Sequence, residues 1–262
     1  MYTAALSSGR TDVRAVQSLG ATLLSPSEIH RVFEHAPGAF RLIGETLYAT
    51  GLWLEELLAV RVRDVEADGW CLVVRDARGE PLRRLRLPRH VRDGLMGHMA
   101  RLQQWHGQEL QRGGGEVDRV PAGNAEPSSA GRRWCWQYVF PSARLVTDTE
   151  TGRKVHAPLE AARVQAMLAE AGRLAGLAKA VHAQALRHAF AVAYLDKGRP
   201  QADLQRLLGH TNPATTKRYV EVLQAARDAT RTRLPVRRPL AWSSPVREPR
   251  QTVLALDLAL AG

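Results

Sequence analysis

The chain has 262 residues, of which 37 are basic and 26 acidic, so its formal net charge at pH 7 is +11. A hydrophobic fraction of 45% argues against wholesale disorder, and the sequence lacks an apolar run of about 18 residues, a secretory signal and enough cysteines for a disulfide framework. We therefore expect a cytoplasmic protein without a membrane span, whose positive charge favours a polyanionic partner, most simply nucleic acid.

The first predicted helix begins at Pro26. Ser25 and Glu28 have the spacing of a capping box, and proline is tolerated in a first helical turn. A second helix is expected over about 39–50. Apolar periodicity then continues through LEELLAVRV at 54–62, which predicts a further helical stretch.

Residues 70–87 are predicted to form a β-hairpin. Its first strand is apolar, whereas its second alternates arginine and leucine from Arg84 to Leu87, so that one face is buried and the other basic. A helix should follow, because apolar residues recur at three- and four-residue spacing: Val91, Leu95, Met99 and Leu102.

The second half of the chain opens with a long loop. Residues 111–133 are rich in glycine, proline and serine, and an aromatic patch, WCWQYVF, and a second loop, TDTETGRK, come next. Helices are predicted over about 158–174, 183–196, 200–208 and 213–230. The residues from 231 to 250 hold six arginines and four prolines against one glutamate, which predicts an extended basic tail.

Three short motifs follow one another near the C-terminal end: QALRHAF at 184–190, LLGH at 207–210 and TTKRYV at 215–220. With TGLWLEEL at 50–57 and the hairpin, they resemble the catalytic domain of the tyrosine recombinase (integrase) family. There, His-x-x-Arg-His precedes Leu-Gly-His and a tyrosine about nine residues further on. The stretch from the aromatic patch to the second loop resembles the inserted region of integron integrases.

The resemblance spans roughly residues 24–228 and implies an α+β fold, mainly helical, with a small hairpin or sheet at one edge. The catalytic domain is expected over 24–230. Residues 1–23 would be a short remnant without the family's core-binding domain, and 231–262 a basic Pro/Arg-rich tail. The implied partners are double-stranded DNA and other recombinase protomers on that DNA, with no membrane.

Family members exchange one DNA phosphodiester for another through a 3′-phosphotyrosine, so the resemblance implies no metal and no other cofactor. By position it makes Tyr219 the nucleophile, Arg187 a phosphate clamp and His210 a phosphate-binding histidine. A phenol titrates near pH 10 and therefore needs help to lose its proton at neutral pH. Guanidinium forks suit the charge that develops on the phosphate oxygens.

Three positions depart from the family pattern. Trp53 stands where the family has a clamp arginine, and we interpret it as a core aromatic. Gln184 replaces a histidine, and Arg78 lies in the hairpin where the family has a lysine that protonates the leaving oxygen. Arginine is a poor proton donor, and losing one charged donor costs on the order of 3 kcal/mol. The sequence thus predicts very weak activity or none.

The candidate DNA contacts are polar residues of the hairpin and of two helices: Arg75, Arg83, Arg84, Arg86, His188, Lys217 and Arg218. The hairpin arginines could equally form a solvated strand face. His188 is expected to pack rather than react, and Glu56 to support the fold. Besides an impaired recombinase, two alternatives stay open: a non-catalytic DNA-binding protein derived from an integrase, and the product of a decayed reading frame.

Overall fold

The structure, a computed structural model, describes residues 22–66, 69–120, 130–149 and 152–233. Within these ranges the helices are α1 Pro26–His35, α2 Gly38–Thr50, α3 Leu54–Leu58, α4 Arg89–Gln111, α5 Ala161–Leu174, α6 Ala183–Asp196, α7 Gln201–Leu208 and α8 Pro213–Arg233. The strands are β1 Val65–Glu66, β2 Cys71–Arg75, β3 Pro81–Arg86, β4 Pro141–Thr147 and β5 Lys154–Pro158. The predicted class, α+β and mainly helical, is confirmed.

α1 starts where its capping box predicts. The Ser25 hydroxyl accepts the Glu28 N–H at 3.2 Å, and the Glu28 carboxylate accepts the Ser25 N–H at 2.7 Å. The same carboxylate pairs with the ammonium of Lys179 at 2.9 Å. The local cap therefore also joins α1 to the segment that leads into α6.

α2 lies at the centre of the helical core, where it contacts α1, α4, α5 and α6. It ends at Gly51, whose φ of 68° is in the left-handed region. A Cβ at Gly51 would lie 2.3 Å from the Phe190 ring and 2.8 Å from Leu208. Glycine is therefore required there, and it brings the Gly51 carbonyl close to α6 and α7.

The predicted helical stretch over 54–62 is wrong beyond Leu58. α3 ends there, and a 3₁₀ turn at Val62–Asp64 leads into β1. The preceding residue, Arg61, is extended, and its guanidinium donates to the Trp136 carbonyl at 2.7 Å. Hydrogen bonds to a distant part of the chain thus override the local apolar periodicity.

The hairpin forms as predicted, with β2 and β3 antiparallel and β1 added at the other edge of β2. Leu85 and Leu87 are buried, whereas Arg84 and Arg86 are exposed. Arg83 shares the inner face with the leucines, because side chains two residues apart on a strand point to the same side. The solvated strand face, one of the two alternatives left open for the hairpin arginines, is therefore wrong for Arg83.

α4 buries the four predicted apolar residues and continues to Gln111. The long loop after it is partly anchored, since the Val117 N–H donates to the Gly131 carbonyl, and Glu116 and Asp118 exchange backbone hydrogen bonds with His156. Residues 121–129 lie outside the described part. The antiparallel β4–β5 ribbon was not predicted. Its strands frame the second loop, and β4 is mostly exposed, so it lacks the buried apolar pattern that identifies a strand.

The four C-terminal helices follow their predicted order, and α8 packs on α6 and α7. α8 continues to Arg233, so residues 231–233 are helical and not part of an extended tail. The rest of the predicted tail, 234–262, lies outside the described residues, as do residues 1–21. Among the helices described, none combines the length and apolar character that crossing a membrane requires.

Candidate active site

Arg187 is the most deeply buried charged residue of the cluster that its motif predicts, with 1% of its surface exposed. Its guanidinium donates to the Gly51 carbonyl and, at 2.8 Å, to the Leu208 carbonyl. Nε has no hydrogen-bond partner among the described residues. Burial lowers the pKa of Arg187 to about 10, so the group is still a cation at pH 7. Such a charge, whose hydrogen bonds go to neutral carbonyl and imidazole acceptors, is suited to an anion.

His210 follows Gly209, where α7 ends in the left-handed region with φ of 69°. Its Nε2 lies 3.1 Å from Nη2 of Arg187, and its Nδ1 lies 2.9 Å from Oγ1 of Thr216. A guanidinium only donates, so Nε2 accepts and Nδ1–H donates to the hydroxyl. Burial, followed by the charges of Arg187 and Arg83, lowers the pKa of His210 to about 4, so the imidazole is neutral at pH 7.

Tyr219 is only 4% exposed, and its side chain points into the cluster. Its ring is nearly parallel to that of His210, with centroids 6.4 Å apart. Its hydroxyl oxygen lies 2.8 Å from Nδ1 of His188. Burial raises the pKa of the phenol, and the charge of Arg187 opposes that rise. The phenol is therefore protonated at pH 7 and lies between two imidazoles.

His188 directly follows Arg187 on α6, and the structure brings it to the phenol of Tyr219 rather than leaving it as a packing residue. Its other ring nitrogen, Nε2, lies 3.2 Å from the Gln184 amide nitrogen one helical turn earlier. Gln184 thus reaches Tyr219 through the imidazole. Sequence reasoning missed this chain of contacts, because the motifs indicate which segments meet but not which side chain contacts the Tyr219 hydroxyl.

The interpretation of Trp53 as a core aromatic is wrong. Its side chain is 42% exposed, and the indole lies over the Arg187 guanidinium, with 4.2 Å between the guanidinium carbon and the ring centroid. Trp53 precedes α3 in an extended conformation, where its backbone N–H donates to the Glu56 carboxylate at 3.0 Å. That anchor directs the ring across the cluster, where a cation–π contact is worth about 0.5–2 kcal/mol.

Arg83 reaches the cluster from β3. Nη2 pairs with the Glu56 carboxylate at 2.7 Å, and Nε donates to the Leu207 carbonyl at 2.9 Å. A Cβ on Gly209 would lie 2.9 Å from Nη1, so glycine is needed beside this guanidinium. Arg83 thereby connects β3, α3 and α7. The signal that could have identified it was its register with Leu85.

The other predicted contacts lie around the cluster. Arg78 is exposed in the β2–β3 turn, and Arg75 pairs with Asp64 at 2.6 Å. Arg84 pairs with Glu66 at 3.3 Å. Arg86 and Lys217 are exposed, and Arg218 is half-buried. In the described part of the chain these side chains make no hydrogen bond to the cluster, and their contact with DNA stays a prediction.

The site thus combines a buried guanidinium, two neutral imidazoles and a phenol in mutual contact. A guanidinium can bind a phosphate through two of its N–H groups, and a phenol beside a neutral imidazole can act as a nucleophile. The three motifs of the second half of the chain converge here, and the TGL segment contributes a carbonyl and an indole.

The chain is similar to known proteins over most of its length. The model of the "Phage integrase family" matches residues 23–226. An "Integrase/recombinase" of Escherichia coli is 29% identical over 238 residues, which are 88% of this chain and 71% of that protein. The tyrosine recombinase XerA of Pyrococcus furiosus is 27% identical over 76% of this chain and 57% of its own length. The tyrosine recombinase XerD of Brucella suis is 30% identical over 69% of this chain and 47% of its own length.

Solved structures share the fold. A crystal structure of XerA recombinase superposes with a TM-score of 0.53 at 22% identity, covering 82% of this chain and 64% of that one. The post-cleavage complex of XerH recombinase bound to palindromic difH substrate superposes with a TM-score of 0.54 at 17% identity. The match covers 81% of this chain and 53% of that one. This chain therefore spans between half and two thirds of these recombinases.

Proposed function

Because the chain belongs to the phage integrase family, whose matched relatives are integrases and tyrosine recombinases, we propose that it cuts and rejoins double-stranded DNA in site-specific recombination. Tyr219 is the proposed nucleophile, and the cut strand is held as a 3′-phosphotyrosine until a 5′ hydroxyl displaces the tyrosine. The observation that carries the proposal is the buried contact of Arg187 with His210 beside the Tyr219 ring.

Arg187 is the proposed ligand of the scissile phosphate. Its hydrogen-bond partners are two carbonyl oxygens and the imidazole of His210, all neutral at pH 7. No carboxylate among the described residues competes for its donors. Two of its N–H groups can therefore turn to an incoming phosphate, provided that the Trp53 ring, which lies across the guanidinium, moves aside.

His210 is the proposed second ligand of that phosphate, and its role depends on Arg187. Its Nε2 accepts from the guanidinium, and its Nδ1–H is directed to Thr216. When a phosphate takes the guanidinium donors, Nε2 is released. Protonated at Nε2, His210 can then donate to the same phosphate, so the two ligands are expected to engage together.

Double-stranded DNA is the proposed partner. The net charge of +11 suits a polyanion. Two structural neighbours, XerH recombinase and the Tn1549 transposon integrase, were solved with DNA. Further recombinase protomers on the same DNA, and a location in the cytoplasm, where that DNA lies, are part of the proposal. The likeness to integron integrases and the domain bounds over 24–230 stay predictions.

Cleavage is proposed to be slow. Trp53 offers one neutral N–H where a guanidinium would offer a charged fork. The β2–β3 turn holds Arg78 in place of a lysine, and a guanidinium with a pKa above about 12 is a poor acid for the leaving 5′ oxygen. These two residues also favour a second candidate function, a DNA-binding protein without chemistry.

The test is a nicked suicide duplex, from which the cut strand cannot be rejoined, so that the covalent adduct accumulates on a denaturing gel. The natural chain should give little adduct over hours. The double variant Trp53→Arg with Arg78→Lys should give about a hundredfold more, because it restores a charged donor worth about 3 kcal/mol and an acid.

Gel shifts at low salt provide the binding control, since both proteins must bind the duplex equally for the rates to be compared. DNA binding without adduct from either protein would select the non-catalytic function. Abundant adduct from the natural chain would show instead that Trp53 does not impair cleavage.

A further inference from the structure

We infer that His188, oriented by Gln184, takes the proton of Tyr219 as that phenol attacks DNA. The inference rests on the proposed function and adds to it the base that the nucleophile needs. His188 is then a catalytic residue, because it touches the reacting oxygen, and Gln184 is a positioning residue that acts through it.

The imidazole of His188 lies within hydrogen-bonding distance of the Tyr219 hydroxyl. Nδ1 of His188 lies 2.8 Å from the phenol oxygen, which is hydrogen-bonding distance and the reach required of a general base. The two rings are tilted, with centroids 5.6 Å apart, so the nitrogen edge rather than the ring face meets the hydroxyl. His188 also adjoins Arg187 in α6. One rigid helix therefore sets the base relative to the proposed phosphate ligand.

The other basic groups of the cluster, which could have accepted the Tyr219 proton, already have hydrogen-bond partners. Nε2 of His210 accepts from Arg187, and its Nδ1–H is directed to Thr216. Arg83 is paired with Glu56. Among the described residues, His188 is therefore the hydrogen-bond partner of the Tyr219 oxygen.

The surroundings of His188 favour the neutral imidazole, which is the form that can accept a proton. His182 and Arg187 face it from its own helix, His210 faces it from the turn after α7, and Tyr219 faces it from α8. Burial, and after it the three basic neighbours, lowers the pKa of His188 to about 4. At pH 7 one ring nitrogen is therefore free of a proton.

Gln184 selects the nitrogen that carries the proton. As placed, its amide nitrogen faces Nε2 of His188 at 3.2 Å, which would leave the proton on Nδ1, so the proposal requires the amide in its turned-over orientation. The ends of a side-chain amide have the same shape, and a half-turn of the amide puts Oε1 where Nε2 lies. With Oε1 directed to His188, the imidazole keeps its proton on Nε2 and presents the Nδ1 lone pair to Tyr219. After proton transfer both nitrogens carry hydrogen, and Oε1 still accepts from Nε2. This orientation of the amide suits both the start and the end of the step.

The step balances as an exchange of esters. The Tyr219 oxygen bonds to phosphorus while its O–H bond breaks, and the proton passes to Nδ1 of His188. The P–O bond to the 5′ oxygen breaks, and that oxygen takes a proton from water. The imidazolium then returns its proton to the hydroxide left behind. Rejoining runs through the same transfers in reverse.

The kinetic test uses His188→Asn, whose amide nitrogen can keep the hydrogen bond to the phenol but cannot take a proton. It is made in the faster Trp53→Arg, Arg78→Lys protein, with His30→Asn on the exposed surface of α1 as the matched control. Single-turnover adduct formation at pH 7 should fall about a hundredfold with His188→Asn and stay unchanged with His30→Asn. Gln184→Leu should lower the rate by a smaller factor.

Two further measurements separate a base from a structural residue. The parent rate should be nearly flat from pH 6 to 8, whereas the His188→Asn rate should rise about tenfold per pH unit, because phenolate must then form without help. A duplex with sulfur in place of the 5′ oxygen needs no proton on its leaving group. The inference is overturned if that substrate restores the rate of His188→Asn, or if the variant keeps the parent rate.

A DNA-free measurement distinguishes failure of the inference from failure of the proposed function. In protein labelled with ¹⁵N-histidine, the Nδ1 resonance of His188 should shift when Tyr219 is replaced by phenylalanine, and the ring should stay neutral down to about pH 5. An unchanged resonance refutes the contact, whatever the protein does to DNA. A shifted resonance in a protein that forms no adduct supports the contact and rejects the recombinase function.

Discussion

Two buried arginine–tyrosine pairs in this molecule differ in what holds the phenol proton. In the first, Arg61 donates to the Tyr138 oxygen at 2.8 Å, and the Tyr138 hydroxyl donates to the Asp118 carboxylate at 2.7 Å. In the second, Arg187 lies near Tyr219, whose oxygen meets the neutral imidazole of His188 at 2.8 Å. The first pair has an anion built in, and the second does not.

That difference separates a structural pair from a reactive one. Burial raises the pKa of Tyr138, and the Asp118 carboxylate keeps the proton in place against the effect of Arg61. The Arg61 guanidinium is satisfied by the Trp136 and Arg119 carbonyls and by the phenol. This pair has no group left for a ligand, and it joins the segment after α3 to the aromatic patch.

The Arg187–Tyr219 pair lacks some of the partners that complete the Arg61–Tyr138 pair. Nε of Arg187 has no hydrogen-bond partner among the described residues, and the half-exposed Trp53 ring lies over the guanidinium. A buried cation without an anion costs stability. Such an arrangement is typical of sites that receive their anion as substrate, because stability and function compete at these positions.

The largest expected effect is on the formation of the covalent DNA adduct, in which Tyr219 and Tyr138 should differ. Tyr219→Phe should abolish the covalent adduct of the Trp53→Arg, Arg78→Lys protein, a loss of more than about a thousandfold, since it removes the attacking oxygen. Tyr138→Phe should keep the adduct but lower the free energy of unfolding by about 1–2 kcal/mol, because Asp118 and Arg61 lose a partner. Denaturing gels and urea titration measure the two quantities. Adduct that survives Tyr219→Phe would identify a different nucleophile.

The next effect is on the free energy of unfolding, in which replacement of Arg61 and of Arg187 should differ. Arg61→Met should lower the free energy of unfolding by about 3 kcal/mol, since buried carbonyls and a phenol are left without a donor. Arg187→Met should change it by about 1 kcal/mol or less, because removing an unpaired buried charge offsets the lost hydrogen bonds. Urea titration at pH 7 decides. Equal losses in both variants would remove the distinction between the pairs.

The smallest effect is the part of the pH dependence of stability that the imidazoles beside Arg187 and Tyr219 contribute. His188 and His210 have folded-state pKa values of about 4, below the ordinary value of 6.5. Between those values the unfolded chain binds more protons, so stability falls as the pH is lowered, by on the order of 1–3 kcal/mol for each histidine. His188→Asn should remove its share of the loss between pH 7.5 and 4.5, measured by urea titration. His30→Asn should leave the loss unchanged.

Much of the fold followed from local patterns in the sequence. The capping box at Ser25 placed the start of α1, and the alternation of Arg84, Leu85, Arg86 and Leu87 placed the two faces of β3. These signals are complete within a few residues, and the physics that they report is equally local. Where the pattern was weak, as in the exposed β4–β5 ribbon, the strands were missed.

The resemblance of three short motifs was enough to predict that Arg187, His210 and Tyr219 belong together, and the structure brings them into contact. It did not predict what surrounds them. Trp53 was assigned to the core and lies at the surface of the cluster. Arg83 was left open between a DNA contact and a solvated strand face and is paired with Glu56, and His188 was expected to pack rather than react but contacts Tyr219. Each of these errors concerns the partner of a side chain and not its position in an element.

The sequence by itself therefore determined most of the order of elements, the family, and the meeting of Arg187, His210 and Tyr219 at the site. Tertiary structure alone decided their environment: which carbonyls satisfy Arg187, which ring covers it and which imidazole meets Tyr219. The Gly51 carbonyl that binds Arg187 is 136 residues away along the chain. Caps and periodicity depend on neighbours within about four residues, whereas the partners and pKa of a buried charge depend on every group that packing brings to it.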